Sequence, residues 1–365
     1  MCSEIRLDAP NLGELEKRNL NNAIDSGYVS TAGPFVSEFE LRIAGYLGAK
    51  KAISTQSGTS AIHLSLYELG IGKGDEVIVP ALTFVASVNP VMYVGATPVF
   101  VDVDIDTWNM DPEKIKKSIT KNTKAIIPVH FYGNPCDMDK IMEIAEAHDL
   151  YVIEDAAESL GAKYKLAHTG TFGDFGCFSF NGNKIITTGG GGMIISRDGK
   201  RLDHIKFLIN QARNKSGEYY HSEIGFNNRM TNVEAALGLA QMEKLEDFLR
   251  KKRAFSAIYR KELKGMKQFR FQEEYKGAES SWWLPCVTFH GKRNIPALQE
   301  ELKKSKIPTR RVFMPVVEFP PYKKYNIGNY DNSYQLYEKG LCLPASTLNS
   351  EDDICRVCEA LKGID

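Results

Sequence analysis

The sequence predicts an α/β protein, with a large domain built on a mainly parallel sheet and a smaller C-terminal α+β domain. Three observations carry this. Between residues 51 and 155 short β-branched runs alternate with amphipathic segments, the pattern of strands joined by crossover helices. The 365 residues are too many for one compact core of ordinary size. After about residue 265 the alternation gives way to a mixture of short strands and helices. The expected partition is 1–245 for the large domain with its N-terminal segment, and 246–365 for the small one.

Taken in order, the expected strands are Lys51–Thr55, Glu76–Pro80, Thr97–Asp102, Thr123–Val129 and Tyr151–Glu154. Thr59–Leu69, Ala86–Val94, Pro112–Ser118 and Met138–His148 read as the helices between them. Gly170–Ser196 reads as a Gly- and Phe-rich strand, turn and strand. A long polar-amphipathic helix is expected from Asn232 to Glu262, leaving the large domain, with Pro296–Ser305 and Glu351–Gly363 as helices of the small one. No internal repeat or low-complexity segment interrupts the pattern. In an open α/β sheet, ligands sit outside the carboxyl ends of the strands, so the residues just after those runs are the first candidates for a site.

Charge and composition narrow the function. Lys plus Arg and Asp plus Glu each number 46, and no basic or acidic block stands out, which disfavours nucleic acid and anionic membrane as partners. The N-terminus lacks the apolar core of a signal peptide, and no run approaches the roughly 18 apolar residues of a membrane span. A soluble cytoplasmic protein is the expectation. Seven cysteines, odd in number and scattered, fit reduced thiols better than a disulfide framework. Cys355-Arg356-Val357-Cys358 has no second pair to complete a metal site, so no metal is expected.

Three segments carry chemistry. Thr55-Gln56-Ser57-Gly58-Thr59-Ser60-Ala61 is a hydroxyl- and Gly-rich turn from strand to helix. Free N–H groups and the helix dipole there make an anion site, although a helix cap uses the same residues. In Val152-Ile153-Glu154-Asp155-Ala156-Ala157-Glu158 two acids end an apolar strand. A carboxylate there can hold a pyridine nitrogen protonated, and strand-end acids also bind Mg²⁺ or riboses. Ser179-Phe180-Asn181-Gly182-Asn183-Lys184 places a lysine beside polar and Gly-rich chain, followed by Gly189-Gly190-Gly191-Gly192. An amine drawn out of water becomes a usable nucleophile for a carbonyl. The glycine run lacks the ending of a P-loop, which disfavours nucleoside triphosphates. A flexible hairpin is its plainer reading.

Together these segments resemble the fold-type I sugar aminotransferases of the DegT/StrS type, which use pyridoxal 5′-phosphate (PLP). The resemblance runs over almost the whole chain. It is carried by Gly33-Pro34 with Phe39-Glu40, Ser57-Gly58-Thr59, Thr83-Phe84, Glu154-Asp155-Ala156-Ala157, Ser179-Phe180 with Lys184, Gly191-Gly192, and Gly225-Phe226-Asn227-Asn228-Arg229-Met230. Within the family, Ser179–Thr188 and Gly340-Leu341-Cys342-Leu343-Pro344 look most like enzymes acting at C4 of nucleotide-linked 4-keto-6-deoxy sugars.

The resemblance implies that Lys184 is the Schiff-base lysine, Asp155 the partner of the pyridine nitrogen and Phe84 the side chain stacked on the ring. Gly58, Thr59 and Ser179 match the phosphate cradle, and Glu158 falls near the cofactor's phenolic oxygen, where relatives often carry Gln. Asn227 matches an asparagine that reaches the phosphate from a neighbouring subunit, which implies a homodimer with shared sites. The substrate mouth is expected from Gly27-Tyr28-Val29-Ser30 and the Arg310–Glu318 loop, whose aromatic face, hydroxyl and paired cations suit a sugar diphosphate. Two positions depart from the family pattern. Gly189–Gly192 stands where many relatives carry glycine, glutamate and two glycines, a replacement seen with N-acetylated 4-keto sugars, and Pro315-Val316-Val317-Glu318 lacks a usual histidine. The expected donor is glutamate, leaving as 2-oxoglutarate, and the expected acceptor a UDP-linked 2-acetamido-4-keto-6-deoxyhexose, for surface polysaccharide or glycoprotein sugars. GDP-linked 4-keto-6-deoxymannose, the perosamine type, is the nearest alternative. An amino-acid aminotransferase using Arg229, Arg310 and Arg311 as a dicarboxylate clamp is a further one. A PLP-binding regulator and a sugar 3-dehydrase fit less well, because the first needs no Lys184 and the second would replace it with histidine.

Overall fold

The computed structural model describes residues 4–214, 219–291 and 293–364. Five strands follow one another with helical crossovers: β1 (Ala52–Thr55), β2 (Glu76–Pro80), β3 (Thr97–Val101), β4 (Thr123–Ile126) and β5 (Tyr151–Asp155). After the short β6 (Lys163–Tyr164) and β7 (Ala167–His168) come β8 (Phe175–Ser179) and β9 (Gly192–Ile195). Seven of these make one sheet, ordered β1-β9-β8-β5-β4-β2-β3. Only β9 runs antiparallel to its neighbours. Its strands are nearly continuous apolar runs because helices cover both faces. Ile53, Val77, Val79, Ile153 and Ile194 enter one core cluster, and Ile78, Ile126 and Val152 enter another on the opposite side.

A second, four-stranded sheet follows, from β10 (Phe269–Phe271), β12 (Cys286–Phe289), β13 (Arg310–Arg311) and β14 (Gly340–Cys342), ordered β10-β12-β14-β13 and antiparallel throughout. The two-residue β11 (Ala278–Glu279) joins β6 and β7 in a third, small sheet. The helices Leu245–Glu262, Ile295–Lys304 and Glu351–Lys362 bury Phe255, Tyr259, Leu302, Val357 and Leu361 in a core shared with the second sheet, and Ile5 from the N-terminal segment is part of it. Cys355 and Cys358 both lie on the last of these helices, the first exposed and the second buried. Among the described residues no helix is long and apolar enough to cross a membrane.

Three elements differ from the expectation, two because of a proline in the segment itself and one at a tertiary contact. The expected helix Ala86–Val94 divides into a 3₁₀ turn, Val85–Ser87, and a short helix, Asn89–Tyr93, because Pro90 has no N–H to continue a helix and is tolerated only in a first turn. β4 stops at Ile126 rather than Val129, since Pro128 cannot donate to the ladder; Val129 rejoins only as a single bridge to Asp155. The long helix Asn232–Glu262 is two helices, Asn232–Met242 and Leu245–Glu262. They part beside Lys244, whose ammonium is drawn to the buried Glu16 carboxylate at 2.6 Å. The first half is also buried nearly all round: a Cβ on Gly238 would lie 2.8 Å from both Phe39 and Thr188.

Candidate active site

The end of the sheet at which β5 and β8 finish opens into a cavity of about 430 Å³. Three pieces of chain converge there: the turn after β1, the end of β5, and the loop from β8 to β9. This is the crevice outside the carboxyl ends of the strands, where α/β sheets bind ligands.

The turn after β1 caps the helix Gly58–Glu68, with Ser57 Oγ accepting from Ser60 N–H at 3.1 Å. The helix N-terminus therefore faces the cavity with spare N–H groups. Backbones approach closely here. A Cβ on Gly58 would stand 2.9 Å from Ser179 Cβ, and one on Gly192 2.5 Å from the Ser57 carbonyl carbon. Gly191 adopts φ +109°, which L side chains rarely reach. The second half of the glycine run is thus close-packed, pinned by Phe180 N–H donating to Gly191 O at 3.0 Å and Gly191 N–H to Gln56 O at 2.9 Å, whereas a Cβ on Gly189 would meet nothing within 4 Å.

The two acids at the end of β5 part company because consecutive residues of a strand point to opposite faces. Glu154 turns away from the cavity. Its carboxylate accepts from the N–H groups of Gly170, Phe172 and Gly173 at 2.7, 2.7 and 2.8 Å, and lies 3.0 Å from His130 Nε2. Because His130 Nδ1 accepts from Cys136 N–H at 3.1 Å, Nε2 carries the proton and donates to Glu154. Asp155 lines the cavity. Its Oδ1 accepts from Ala157 N–H at 3.1 Å and its Oδ2 from Ser87 Oγ at 2.6 Å, and Ser87 Oγ lies 2.8 Å from Thr83 Oγ1. The residue is 5% exposed, and among the described residues no lysine, arginine or histidine pairs with it.

Lys184 sits in the β8–β9 loop, held by buried Ile185 and Ile186 on its C-terminal side and by a turn from Lys184 N–H to Asn181 O at 3.0 Å. Its ammonium lies 4.0 Å from the centre of the Trp283 ring and 3.6 Å from Glu158 Oε1. Trp283 is fixed at both ends. Its indole N–H donates to Asn183 O at 2.6 Å, and its carbonyl accepts from buried Lys252 Nζ at 3.0 Å. Burial pushes the Lys252 ammonium down to about 8. Glu158 Oε2 accepts from Tyr132 N–H at 2.8 Å, a donor presented by a left-handed backbone (φ +55°) at a fully buried tyrosine. Burial pushes the Glu158 carboxyl up, against the pull of the Lys184 ammonium and the Tyr132 N–H. Phe84 is half exposed at the cavity mouth, tilted against Phe313 with ring centres 5.5 Å apart.

The residues present fit PLP on the structure's own terms. A buried carboxylate without a cation is costly, and a protonated ring nitrogen beside Asp155 would supply the missing charge. The helix N-terminus and its close-packed glycines offer an anion cradle at the other end, and Lys184 lies in the same cavity.

A model of the DegT/DnrJ/EryC1/StrS aminotransferase family matches residues 10–362 of the chain. The chain belongs to this family. The aminotransferase is 41% identical over 353 residues to the GDP-perosamine synthase of Escherichia coli O157:H7, covering 96% of each chain. It is also 41% identical over 360 residues to the GDP-perosamine synthase of Caulobacter vibrioides, covering 98% of this chain and 97% of that one. Among solved structures, Spr1654 from Streptococcus pneumoniae in its PLP form superposes with a TM-score of 0.92 at 28% identity over 100% of both chains. The protein is a PLP-dependent aminotransferase with the fold that its sequence predicts.

Of the residues singled out from the sequence of the aminotransferase, Gly58, Thr59, Phe84, Asp155, Glu158, Ser179, Lys184 and Arg310 line one cavity. The others lie outside it in the single chain. Tyr28 and Val29 are about half exposed, next to Gly27, with the Tyr28 and Ser30 carbonyls held by the Asn232 side chain and N–H at 2.8 and 2.6 Å. Asn227 is exposed, Arg229 is half-buried with its Nε lacking a partner, and Glu318 accepts from the Tyr334 hydroxyl. Arg311 turns to the Tyr337 ring, 3.6 Å from its centre. Sequence reasoning missed Ser87 and Trp283, and it named Asn183 and Phe313 only as members of the Ser179–Lys184 segment and the Arg310–Glu318 loop. Ser87, four residues past Thr83, had a local signal in its hydroxyl spacing, whereas Trp283 lies 99 positions from Lys184 and had none.

Proposed function

We propose that this aminotransferase moves the amino group of glutamate to C4 of GDP-linked 4-keto-6-deoxymannose. One observation carries the choice of acceptor: two relatives that match nearly the whole chain at 41% identity are both GDP-perosamine synthases. The UDP-linked N-acetylated acceptor expected from the glycine run gives way to this reading. At Gly190, the position where many relatives carry glutamate, a Cβ would stand 3.3 Å from Glu234 Oε1, so a carboxylate already lies beside it from another segment.

Bound PLP supplies an electron sink that stabilises negative charge on the substrate carbon. The chain's residues do the rest. Asp155, steadied by Ser87, keeps a proton on the ring nitrogen. The Gly58 and Thr59 N–H groups and the Ser179 hydroxyl hold the phosphate, and Phe84 covers one ring face. Lys184 Nζ would be the amine that holds the cofactor's carbonyl carbon, and as a free amine it could accept and return a proton at the substrate carbon. Trp283 and Glu158 keep that amine within the cavity, and Arg310 at its rim meets an acidic group of the incoming substrate.

Glutamate is expected to bleach the visible absorption of the PLP-loaded enzyme. GDP-linked 4-keto-6-deoxymannose should then restore it at least tenfold faster than a UDP-linked 2-acetamido-4-keto sugar or oxaloacetate, a difference of about 1.4 kcal/mol in barrier. Faster restoration by the UDP-sugar reverses the choice of nucleotide sugar, and faster restoration by oxaloacetate makes the enzyme an amino-acid aminotransferase.

The second part of the proposal is a homodimer in which Asn227 reaches the phosphate of the neighbouring subunit. It is supported by the exposure of Asn227 outside its own chain's cavity, and by the large side chains exposed near it, Tyr220 at 59% and Ile224 at 81%. Inactive Asn227→Ala and Lys184→Ala enzymes, mixed and allowed to exchange subunits, should regain up to about a quarter of wild-type activity, because hybrid dimers hold one intact site. No recovery after exchange is verified by mass spectrometry rejects the shared site.

A further inference from the structure

The chain ahead of the first helix is fastened along residues 345–349. Arg6 N–H donates to Asn349 Oδ1 at 2.9 Å, Asn349 Nδ2 to Arg6 O at 2.7 Å, Ala345 N–H to Leu7 O at 2.7 Å, and Ser346 Oγ to Ala9 O at 2.8 Å. Asp8 stands in the middle of this strap with its side chain 12% exposed. One carboxylate oxygen, Oδ2, accepts from Arg310 Nη2 at 2.7 Å and from Asn183 Nδ2 at 2.9 Å. Both donors belong to residues that line the active-site cavity, and among the described lining residues Arg310 is the only cation besides Lys184. Burial works against the charge of Arg310, and the Asp8 carboxylate is the foremost of the groups that favour it.

We propose that Asp8 is a positioning residue, holding the Arg310 guanidinium in the orientation that receives the acidic group of an incoming substrate. This rests on the reading above, in which Arg310 meets that group. A guanidinium has five N–H donors in a rigid fork, so fixing one edge on Asp8 aims the rest. An arginine ordered in advance loses less freedom when the ligand arrives. Asn183 and the strap hold Asp8 itself in place, so the aim is set by tertiary contacts from three separate segments of chain.

The sign of the effect separates positioning from simple charge balance. Were Asp8 only a counter-charge that weakens Arg310, Asp8→Asn would tighten the binding of an anion. Positioning requires the opposite. Two ligands are measured on the PLP-loaded enzyme: glutamate, by the fading of visible absorption, and GDP-mannose, which lacks the ketone and binds without reacting, by calorimetry. Asp8→Asn should raise the half-saturating concentration of at least one of them about tenfold, the value of one lost charge-assisted hydrogen bond, with the limiting fading rate changed less than about threefold. In an Arg310→Ala background the same substitution should add less than about twofold, since its partner is gone. Unchanged or tighter binding of both ligands overturns the inference, as does an effect of full size without Arg310. If GDP-mannose fails to bind the wild type, the GDP-sugar reading falls, and the glutamate measurement alone decides for or against Asp8.

Discussion

Replacing Lys184 by alanine or by arginine is expected to lower turnover at least about a thousandfold, with circular dichroism and thermal unfolding close to wild type. The two variants test different things. Alanine removes the amine, its stacking on Trp283 and its pairing with Glu158. Arginine keeps a cation that can stack and pair, but it cannot be deprotonated and so can neither attack a carbonyl nor carry a proton between carbons. Equal inactivity of both shows that the reactive amine, and not the positive charge, is what the site needs. The loop should keep its place in both variants, because the buried Ile185 and Ile186 next to Lys184 anchor it in the core. Steady-state assays that find more than a few per cent of wild-type activity in either variant remove Lys184 from this role.

Asp155→Asn is expected to retain PLP but to react with glutamate about a hundredfold more slowly, the usual loss when a preorganised charge is taken from a reacting centre. The substitution is isosteric. An amide oxygen can still accept from Ala157 N–H or Ser87 Oγ, so the geometry of the loop should persist. What disappears is the negative charge that, on this proposal, would hold a proton on the ring nitrogen. Single-turnover fading of the visible absorption isolates this step from product release, and a wild-type rate there sinks the assignment. Glu154→Gln makes the contrast. Its carboxylate caps the 170–173 loop from the far face of β5, so that variant should lose stability and alter the rate little.

That contrast marks the boundary of what could be read from the chain alone. Glu154 and Asp155 are adjacent and chemically alike, and residue types give no reason to choose between them beyond the family resemblance. The choice follows from the pleat of β5, which sends one side chain to the cavity and the other into a ring of N–H donors. Element boundaries failed in the same way where a neighbour intervened, as at Lys244, drawn to Glu16 from a helix more than 200 residues away.

The sequence by itself determined the α/β class, the alternation of strands with crossover helices and the hydroxyl-rich turn at Ser57–Thr59, and it singled out Lys184 as the candidate reactive amine, because each is written in local periodicity or in a short run of residues. Tertiary structure alone decided that Ser87 supports Asp155, that Trp283 lies over Lys184, and that Asp8 and Arg310 meet across 302 positions of chain. Those contacts form between segments whose separation is closed only by burial of the two sheets and their helices. No local pattern records them, since the free energy that selects each partner comes from the whole packed core.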